Sequence, residues 1–399
     1  MPIDDSLPPI LFFGNDWAAE NRTSSHHIAR WLAKQRRVYY IECPGLRAPQ
    51  GTARDLKKIW RKLTRFLRGP RPVPEGLEVW TLLQLPLHRF RLVRWMNQLL
   101  IRGAIAWLKH TKGVRGPIAW FMVPHLSSAI GKLGEQLSIY YCIDDYSALP
   151  NVNERAVRAM DEEMTRKADL VFVASATLLE AKEKLNAETR VSPHGVDLDH
   201  FSRAGDGRTE VPADIRDIRG PVVGFFGLIE QWIDLDLVGY LAEQRPDWTF
   251  LMIGRVAVPE AQVPRQPNIR YLGVRSYDQL PDYGSRFDAA IIPYRQCRQT
   301  SHANPIKLRE YLAMGKPVVS VSTPEIDEYA DVVEIARSNV EFLAKLDAVL
   351  TRESPREEIL QRQKRVALEG WDARLQRVIE IVEVSLNRQS DPIVAIAGR

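Results

Sequence analysis

Three polar residues recur at three-residue intervals in the stretch HANPIKLREYLAMGKPVVSVSTPE, residues 302–325. They are Asn304, Lys307 and Glu310, which together supply a carboxamide, an ammonium and a carboxylate. Residues three apart lie on one face of a helix, so these groups would form a single polar stripe suited to a polar ligand. The same spacing also fits a solvated helix face with a capping asparagine, and the rest of the chain must decide between the two.

The overall composition is that of an ordinary soluble globular protein, with 45% hydrophobic and 26% charged residues. A chain of 399 residues is too long for one compact core, which predicts two domains. Cys43, Cys142 and Cys297 are far apart and have no metal-ligand spacing, which favours a reducing compartment. The N-terminus has acidic residues where a signal peptide would be basic, and no segment approaches the roughly 18 apolar residues of a membrane span. We therefore expect a cytoplasmic protein that does not cross a membrane.

Positive charge is concentrated in the segment RDLKKIWRKLTRFLRGPRP, residues 54–72, which has eight basic residues and one acidic residue. Its apolar residues recur at helical intervals, and a second basic stretch follows at residues 88–103. Basic amphipathic helices are typical of proteins that bind a membrane surface or an anionic partner. Alternatively, the apolar stripe packs on the domain core and the basic face is solvated. Nucleic-acid binding is disfavoured because the known DNA- and RNA-binding motifs are absent.

Strand-like and helix-like segments alternate along almost the whole chain, which predicts an α/β fold with parallel sheets. One series of strands runs from PILFFGN to TRVSPHG, and a second runs from PVVGFFGLI to VVEIA. Between them lies a charged stretch without an apolar period, which is typical of a linker. We therefore predict an N-terminal Rossmann-like domain over residues 1–198, a linker over 199–219, a C-terminal Rossmann-like domain over 220–370, and a C-terminal helix and tail over 371–399.

Glycine directly follows a predicted strand in FFGND (12–16), FFGLIEQW (225–232) and MIGR (252–255). Glycine at such a position lets a ligand approach the backbone closely, and the N-terminus of a following helix can bind phosphate oxygens. None of these segments is a GxGxxG or GxxxxGK[ST] motif, so a dinucleotide-dependent dehydrogenase and a P-loop NTPase are disfavoured. Ligands of open α/β sheets bind at the carboxyl ends of the strands, and two such domains facing across a cleft predict a site between them.

Several segments resemble a known family. NPIKLREYLAMGKPVVS resembles the donor-binding segment of nucleotide-sugar glycosyltransferases with the GT-B fold, which has two Rossmann-like domains. KADLVFVASATLLE (167–180) and VSPHGVDLDHF (191–201) resemble the end of the first domain in the retaining group called glycosyltransferase family 4, or group 1. GWDARLQRVIEIVE (370–383) resembles that group's terminal helix, which crosses back to the first domain. GNDW and CIDDYSAL are similar to the subgroup that builds bacterial exopolysaccharides or similar surface glycans.

The resemblance implies a set of donor-binding residues in the second domain. Glu310 matches the glutamate that holds the ribose hydroxyls, since a carboxylate can accept from two vicinal OH groups. Lys307 and Asn304 match residues near the diphosphate and the sugar. His302 stands where the family pattern Glu-x7-Glu has its first glutamate, so the usual contact to the donor sugar is changed. The remaining donor-binding candidates are Arg255, Gly227, Pro305 and Ile306, and Trp232 and Tyr294 are candidates to pack on the base.

Candidates in the first domain follow predicted strand ends. His125 and Asp145, with Asp144 as the neighbouring alternative, are candidates to contact the reacting sugar, and with Lys307 they form the predicted catalytic set. Their alternative roles are a loop histidine and a helix cap. Gly14, Asn15 and Ser25 are candidates for an acceptor or phosphate loop, although Ser25 could instead cap a helix over residues 26–35. The pair His194 and Gly195 is interpreted as a structural turn with glycine at an unusual backbone angle.

The resemblance implies transfer of a sugar from a nucleoside-diphosphate sugar, with uridine as the default base, to an acceptor hydroxyl with retention of configuration. The acceptor is expected to be a lipid-linked or polysaccharide glycan. No Asp-x-Asp metal motif lies at the expected site, so we expect no metal and no cofactor besides the donor, with Lys307 and Arg255 stabilising the leaving diphosphate. The alternatives are a GT-B sugar-nucleotide 2-epimerase and a non-catalytic membrane-associated protein with a degenerate donor site. An anionic inner membrane surface is a candidate partner of the basic helix at 54–72, and nucleic acid is not.

Overall fold

The computed structural model describes residues 7–19, 22–46, 53–74, 76–82, 91–205, 207–352 and 355–390. The chain divides into two compact units, each with its own sheet. The first unit consists of Met1–Pro193 with Leu375–Arg399, and the second unit is His194–Arg374. Helices connect the strands in both units, which confirms the predicted α/β class.

The first unit has an eight-stranded sheet in the order β3-β4-β2-β1-β5-β6-β7-β8. Its elements in chain order are β1 (Ile10–Gly14), α1 (Ser24–Ala33), β2 (Val38–Glu42), α2 (Ala53–Arg68), β3 (Arg71–Pro72), β4 (Glu78–Thr81), α3 (Arg91–Lys112), β5 (Ile118–Phe121), β6 (Leu137–Cys142), α4 (Glu154–Lys167), β7 (Leu170–Val173), α5 (Ala176–Lys182) and β8 (Thr189–Val191). All neighbouring strands are parallel except β3, which is antiparallel to β4.

The central strands of this sheet are continuous apolar runs, such as ILFF in β1 and IAWF in β5, and they are buried on both faces. Such runs are typical of parallel strands covered by helices on both sides. Strands β2, β4 and β3 lie on one side of β1, and strands β5 to β8 lie on its other side in chain order. The strand order therefore reverses between β1 and β5, and the carboxyl ends of these two strands border a crevice.

The second unit has a six-stranded, entirely parallel sheet in the order β11-β10-β9-β12-β13-β14. Its elements are α6 (Leu198–Ser202), β9 (Val222–Phe226), α7 (Leu235–Gln244), β10 (Thr249–Ile253), β11 (Ile269–Gly273), α8 (Leu280–Ser285), β12 (Ala289–Ile292), α9 (Arg298–His302), α10 (Ile306–Ala313), β13 (Val318–Val321), α11 (Pro324–Asp327), β14 (Glu334–Ala336), α12 (Asn339–Leu350) and α13 (Arg356–Val366). Here the strand order reverses between β9 and β12, so the second crevice lies at the carboxyl ends of these strands.

The structure differs from the sequence prediction over residues 199–219, which we interpreted as a linker. This segment belongs to the second unit, and Phe201, Ala204, Ile215 and Ile218 are buried in its core. The spacing of these apolar residues follows neither a helix nor a strand period over any length, so periodicity gave no sign that they pack. The boundary between the units lies at residues 193 and 194 instead.

The last helix is α14 (Trp371–Ser390), of which the residues from Leu375 onward group with the first unit. Within that unit the buried Arg36 of the loop after α1 donates from Nη2 to Glu383 at 2.8 Å. None of the helices in the described ranges is long and apolar enough to cross a bilayer.

Candidate functional site

In the second unit, the loop after β9 and the loop after β10 approach each other closely at two glycine residues. Gly227 and Gly254 have φ values of 143° and 137°, a region that favours glycine. A Cβ atom on Gly254 would overlap the carbonyl oxygen of Gly227, and the Gly227 N–H donates to the Ile253 carbonyl at 2.9 Å. Both positions therefore favour glycine through their φ values, and Gly254 also requires it because of its close approach to Gly227.

Helix α10 begins at this same crevice. Its N-cap is Pro305, which is buried and has no side-chain oxygen to accept from the first amides of the helix. Ile306 and Lys307 are the first two residues of the helix, and both are half-buried. Uncapped amides at a helix N-terminus carry partial positive charge and bind anions. The start of α10 can therefore bind phosphate oxygens without a glycine-rich motif.

The Lys307 side chain lies across Gly227, with its Cε atom 3.1 Å from the position a Cβ atom would take on that glycine. Its ammonium donates to the Tyr294 hydroxyl at 2.9 Å and lies 5.1 and 5.3 Å from the ring centroids of Tyr294 and Phe225. Aromatic faces attract a cation and hold it in place. Lys307 therefore presents a fixed positive charge at the end of β9.

The Glu310 side chain, one turn further along α10, is 9% exposed. Among the residues that the structure describes, none donates a hydrogen bond to its carboxylate. Burial raises the pKa of Glu310 to about 8, nearby Lys307 opposes that shift, and the Asp197 carboxylate adds to it. A buried polar group without a partner costs free energy, so a carboxyl in this setting is a candidate for ligand hydroxyls.

Asp197 was not a candidate in the sequence analysis. It is the N-cap of α6, and its carboxylate accepts from the His200 backbone N–H at 3.3 Å. Its helix-capping position in VDLDHF is visible in the sequence, but its proximity to Glu310 is not, because α6 and α10 are about 100 residues apart in the chain.

Residues 220–351 match the family model described as glycosyl transferases group 1. One curated relative, "Putative teichuronic acid biosynthesis glycosyltransferase TuaH" of Bacillus subtilis (strain 168), is 25% identical over 384 residues, covering 88% of this chain and 90% of the relative. Residues 220–351 therefore form a group 1 glycosyltransferase domain. This match confirms the resemblance to group 1 glycosyltransferases that the sequence predicted for the second unit.

The glycosyltransferase has the GT-B fold of two Rossmann-like domains, as predicted. Anabaena HepE in complex with UDP and glucose gives a TM-score of 0.62 at 16% identity, with 94% of this chain and 99% of HepE covered. A glycosyltransferase from Rickettsia africae gives 0.65 at 15% identity, with 95% and 98% covered. An Escherichia coli trehalose-6-phosphate protein bound with UDP-2-fluoro glucose gives 0.64 at 12% identity, with 94% and 98% covered.

Asn304 does not extend beside Lys307 and Glu310 as the regular spacing predicted. Its Nδ2 donates to the Glu325 carboxylate, and its Oδ1 accepts from Arg309 Nη1 at 2.8 Å. The residue precedes the first turn of α10, so the helical three-residue rule does not apply to it. Asn304 therefore belongs to a buried polar network of the glycosyltransferase, and its amide is used by protein groups.

Glu369 lies at the centre of this network. Its carboxylate accepts from Arg309 Nε at 2.6 Å and from the Tyr329 hydroxyl at 2.7 Å, and it pairs with Arg365 and Arg374 at 3.2 Å each. Burial by itself would raise the pKa of Glu369, but the surrounding donors, Arg309 foremost, bring it below the ordinary value. The ionised carboxylate therefore anchors the inner side of α10, while Glu310 remains available on the same helix.

The other donor-binding candidates lie around the crevice. Arg255 directly follows Gly254 and is exposed, and its carbonyl accepts from the Ile229 N–H at 3.0 Å. His302 ends α9 and is half-buried, with its Nδ1 atom 2.7 Å from the Arg298 carbonyl oxygen. Trp232 is partly buried against the core of the second unit.

The turn at His194 and Gly195 is structural for a different reason from the one predicted. The φ of Gly195 is not in the left-handed region, but a Cβ atom there would lie 2.7 Å from the Cα atom of Trp371. Burial, with a further contribution from Arg309, lowers the pKa of His194 to about 3. The histidine is therefore neutral and lies in the interior of the second unit.

In the first unit, the predicted phosphate loop at Gly14 and Asn15 is closed by protein groups. A Cβ atom on Gly14 would overlap the Tyr40 ring, so glycine is required there by packing. The Tyr40 hydroxyl donates to the Asn15 carbonyl at 2.8 Å, and Asn15 Nδ2 donates to Thr23 Oγ1 at 3.5 Å. These contacts account for both residues without a ligand.

Ser25 does not cap a helix, because α1 begins at Ser24 and its N-cap is Thr23. The Thr23 N–H donates to Nδ1 of His26 at 3.0 Å, so the histidine takes the place that glutamate or glutamine has in a capping box. Burial lowers the pKa of His26 to about 4, which keeps the ring neutral and able to accept this bond. The Ser25 side chain is buried inside the first turn.

His125 and Asp145 lie at the carboxyl ends of β5 and β6. Asp145 caps the short 3-10 turn Tyr146–Ala148, and one carboxylate oxygen accepts from the Ser147 N–H at 3.1 Å and the Ser147 hydroxyl at 2.7 Å. This is the helix-cap role that we kept as the alternative. His125 is buried in the 3-10 turn Pro124–Leu126, directly after the strand that borders the first unit's crevice.

The basic helix α2 is tied to its own domain. Arg61 and Arg65 pair with Asp16 at 3.4 and 2.8 Å, and Arg71 just beyond the helix pairs with the buried Glu42 at 2.9 Å. Asp16 lies two residues after β1, and Glu42 is the last residue of β2. The side chains of residues 53–59, which include part of the predicted basic face, lie outside the described residues.

The buried network yields a stability prediction. Replacing Arg309 with Met should lower the free energy of unfolding by about 3 kcal/mol, because it removes one partner of a buried carboxylate. Arg265→Met is the control, since Arg265 and its partner Glu260 are largely exposed and such pairs contribute below about 1 kcal/mol. Urea unfolding measures both variants, and equal losses would show that the network does not anchor α10.

A second prediction concerns pH. The unfolded chain loses the Glu310 proton near 4.5 and the folded protein near about 8, so ionisation should make the folded state less stable as pH rises between these values. Glu310→Gln should therefore stabilise the ligand-free protein at about pH 8.5 relative to wild type, and much less at about pH 4.5. Urea unfolding at both pH values checks this, with the exposed Glu260→Gln as the control. A difference independent of pH would contradict the burial argument.

Proposed function

We propose that this glycosyltransferase moves a sugar from a UDP-linked donor to a hydroxyl of a glycan or lipid-linked acceptor during surface-polysaccharide synthesis. The transfer retains the anomeric configuration and uses neither a metal ion nor a cofactor besides the donor. The observation that carries the proposal is the buried Glu310 carboxylate, for which no described residue provides a hydrogen-bond donor, beside the fixed Lys307 cation and the bare backbone at Gly227.

Glu310 provides the ribose contact. Its two carboxylate oxygens can accept from the two vicinal hydroxyls of a ribose, and bonds to an ionised acceptor are stronger than neutral ones. Binding of those hydroxyls favours the ionised form and so lowers the raised pKa of the free protein. The ligand thus replaces the hydration that burial removed from the carboxylate.

The diphosphate binds at the start of α10. Its oxygens accept from the uncapped amides of Ile306 and Lys307 and pair with the Lys307 ammonium, and the absence of side chains at Gly227 and Gly254 allows close approach. The exposed Arg255 is the next nearest candidate cation along the loop. This arrangement places positive charge where negative charge develops as the diphosphate leaves.

The proposed reaction proceeds on one face of the donor sugar. The bond between the anomeric carbon and the diphosphate oxygen breaks as the acceptor oxygen bonds to the same face of that carbon. The acceptor proton passes to the departing phosphate oxygen, so no enzyme nucleophile is required. Lys307 and the α10 amides stabilise the leaving group, which is the part a divalent cation plays in many sugar transfers.

The relatives support the choice of base and acceptor class. HepE has been solved in complex with UDP and with UDP-glucose, and a structural neighbour from Burkholderia vietnamiensis is described as UDP-forming. The Bacillus relative is named as a putative teichuronic acid biosynthesis glycosyltransferase. Uridine and a surface-glycan acceptor are therefore the choices that we propose for this chain.

Removing the carboxylate tests the pocket directly. Glu310→Ala should weaken UDP binding by about 10- to 150-fold, because it removes charged hydrogen bonds worth roughly 1.5–3 kcal/mol. Isothermal titration measures the affinity, and the exposed Glu260→Ala is a matched control that should bind like wild type. If Glu310→Ala binds UDP as tightly as the control does, the assignment of the ribose contact is wrong.

Two claims, the choice of uridine as the base and donor binding without a metal ion, are tested by thermal shift. The nucleotides are UDP, GDP, dTDP and ADP at millimolar concentration in the presence of EDTA. A nucleotide that binds only the folded state raises the melting temperature by mass action, and we expect this for UDP alone. A shift with a different nucleotide would overturn the choice of uridine. A UDP shift that needs added Mg²⁺ would overturn metal-independent binding.

A further inference from the structure

Helix α3 in the first unit has two apolar faces. Ile101, Ile105 and Leu108 are buried in the core of that unit. The side turned away from the core carries six large apolar side chains that are 39–67% exposed, namely Leu92, Trp95, Met96, Leu99, Leu100 and Trp107. A surface helix of a globular domain normally places polar residues on that side, so this exposed stripe is unusual for a face in contact with water.

The stripe extends along most of α3 and is interrupted by Gly103. Leu92, Met96, Leu99 and Trp107 follow helical spacing along one side of α3 over about 22 Å. Strand β4 borders the stripe, since the ring centroids of its Trp80 and of Trp107 are 5.2 Å apart. Helix α2 separately carries the exposed apolar side chains of Trp60, Phe66 and Leu67. Most of the large exposed apolar side chains in the described ranges therefore belong to these two helices.

Helix α3 itself carries charge of one sign. It contains five Lys and Arg residues and no Asp or Glu, and one of the five, Lys112 at the end of the helix, pairs with Glu78 of β4 at 2.7 Å. Arg102 is exposed and lies one turn from Leu99, beside the stripe. Apolar side chains with tryptophan, flanked by cations, match the interfacial region of a bilayer with anionic headgroups.

We propose that the exposed face of α3 docks in the plane of an anionic phospholipid surface. A second copy of the chain fits this face less well, because pairing the same surface would bring two sets of cations together. This face belongs to α3, whereas the sequence suggested the basic helix at residues 54–72 as the membrane-binding element. Arg61 and Arg65 of α2 pair with Asp16, whereas the leucines and tryptophans of the α3 stripe project away from the core.

This surface extends the proposed function, since it would bring the enzyme to a lipid-linked acceptor. It does not depend on the donor site, because its residues belong to the first unit and Glu310 and Lys307 belong to the second. Vesicle binding without nucleotide tests the surface, and nucleotide binding without vesicles tests the donor site, so either can fail while the other holds.

The experiment is sedimentation of the full chain with vesicles of phosphatidylglycerol and phosphatidylcholine, and with phosphatidylcholine alone. Leu99→Ser with Leu100→Ser should lower partitioning onto the anionic vesicles by roughly tenfold or more, because two leucines no longer enter the interface. Leu360→Ser with Leu368→Ser is the matched control, since both leucines are exposed in the second unit, and it should partition like wild type. Arg102→Glu should weaken binding to the anionic vesicles only.

Melting temperatures confirm that each variant is folded, which is expected because the substituted side chains are exposed. The proposal is overturned if wild type does not sediment with anionic vesicles, or if the Leu99 and Leu100 variant sediments as well as its control. It is also overturned if wild type is a dimer that this variant dissociates and vesicles do not bind, since a second copy would then cover the face.

Discussion

The buried ion pair between Arg309 and Glu369 is the interaction on which the second unit's site depends. It fixes α10 from the inside of the domain, and Asn304 and Tyr329 complete its hydrogen bonds. The next residue along the helix, Glu310, is buried too, but no described residue bonds to its carboxylate. The pKa of the Glu369 carboxyl is thus lowered, whereas that of the Glu310 carboxyl is raised. Glu369 supports the site, and Glu310 is the candidate contact for a ligand.

The same helix combines rigidity with an accessible N-terminus. Pro305 leaves the first amides of α10 without a side-chain cap, and Lys307 is held over two aromatic rings beside Gly227. A cation and amide dipoles that are already oriented need little rearrangement when negative charge develops on a leaving diphosphate. The glycines complete the site by leaving the backbone of the neighbouring loops uncovered.

The two units follow one plan but differ at their crevices. In the first unit the strand ends are closed by the unit's own groups, since Tyr40 bonds to Asn15 and Asp16 pairs with Arg65. In the second unit the corresponding ends are lined by glycine backbone and by a carboxylate without a protein donor in the described ranges. The group 1 match covers residues 220–351 of this second unit.

Some features of this glycosyltransferase were determined by the sequence alone, because they depend on residues close together in the chain. Apolar strand runs with helices between them predicted the α/β class, and the segment at 302–325 placed Lys307 and Glu310 on one helix. Other features depend on which distant segments meet, and only the tertiary structure decided them. Asn304 bonds to Glu325 and Arg309, and the supposed linker supplies Phe201 to a core. Arg61 and Arg65 of α2 pair with Asp16 in the loop after β1, because charge pairing and burial act between segments whose proximity no local pattern records.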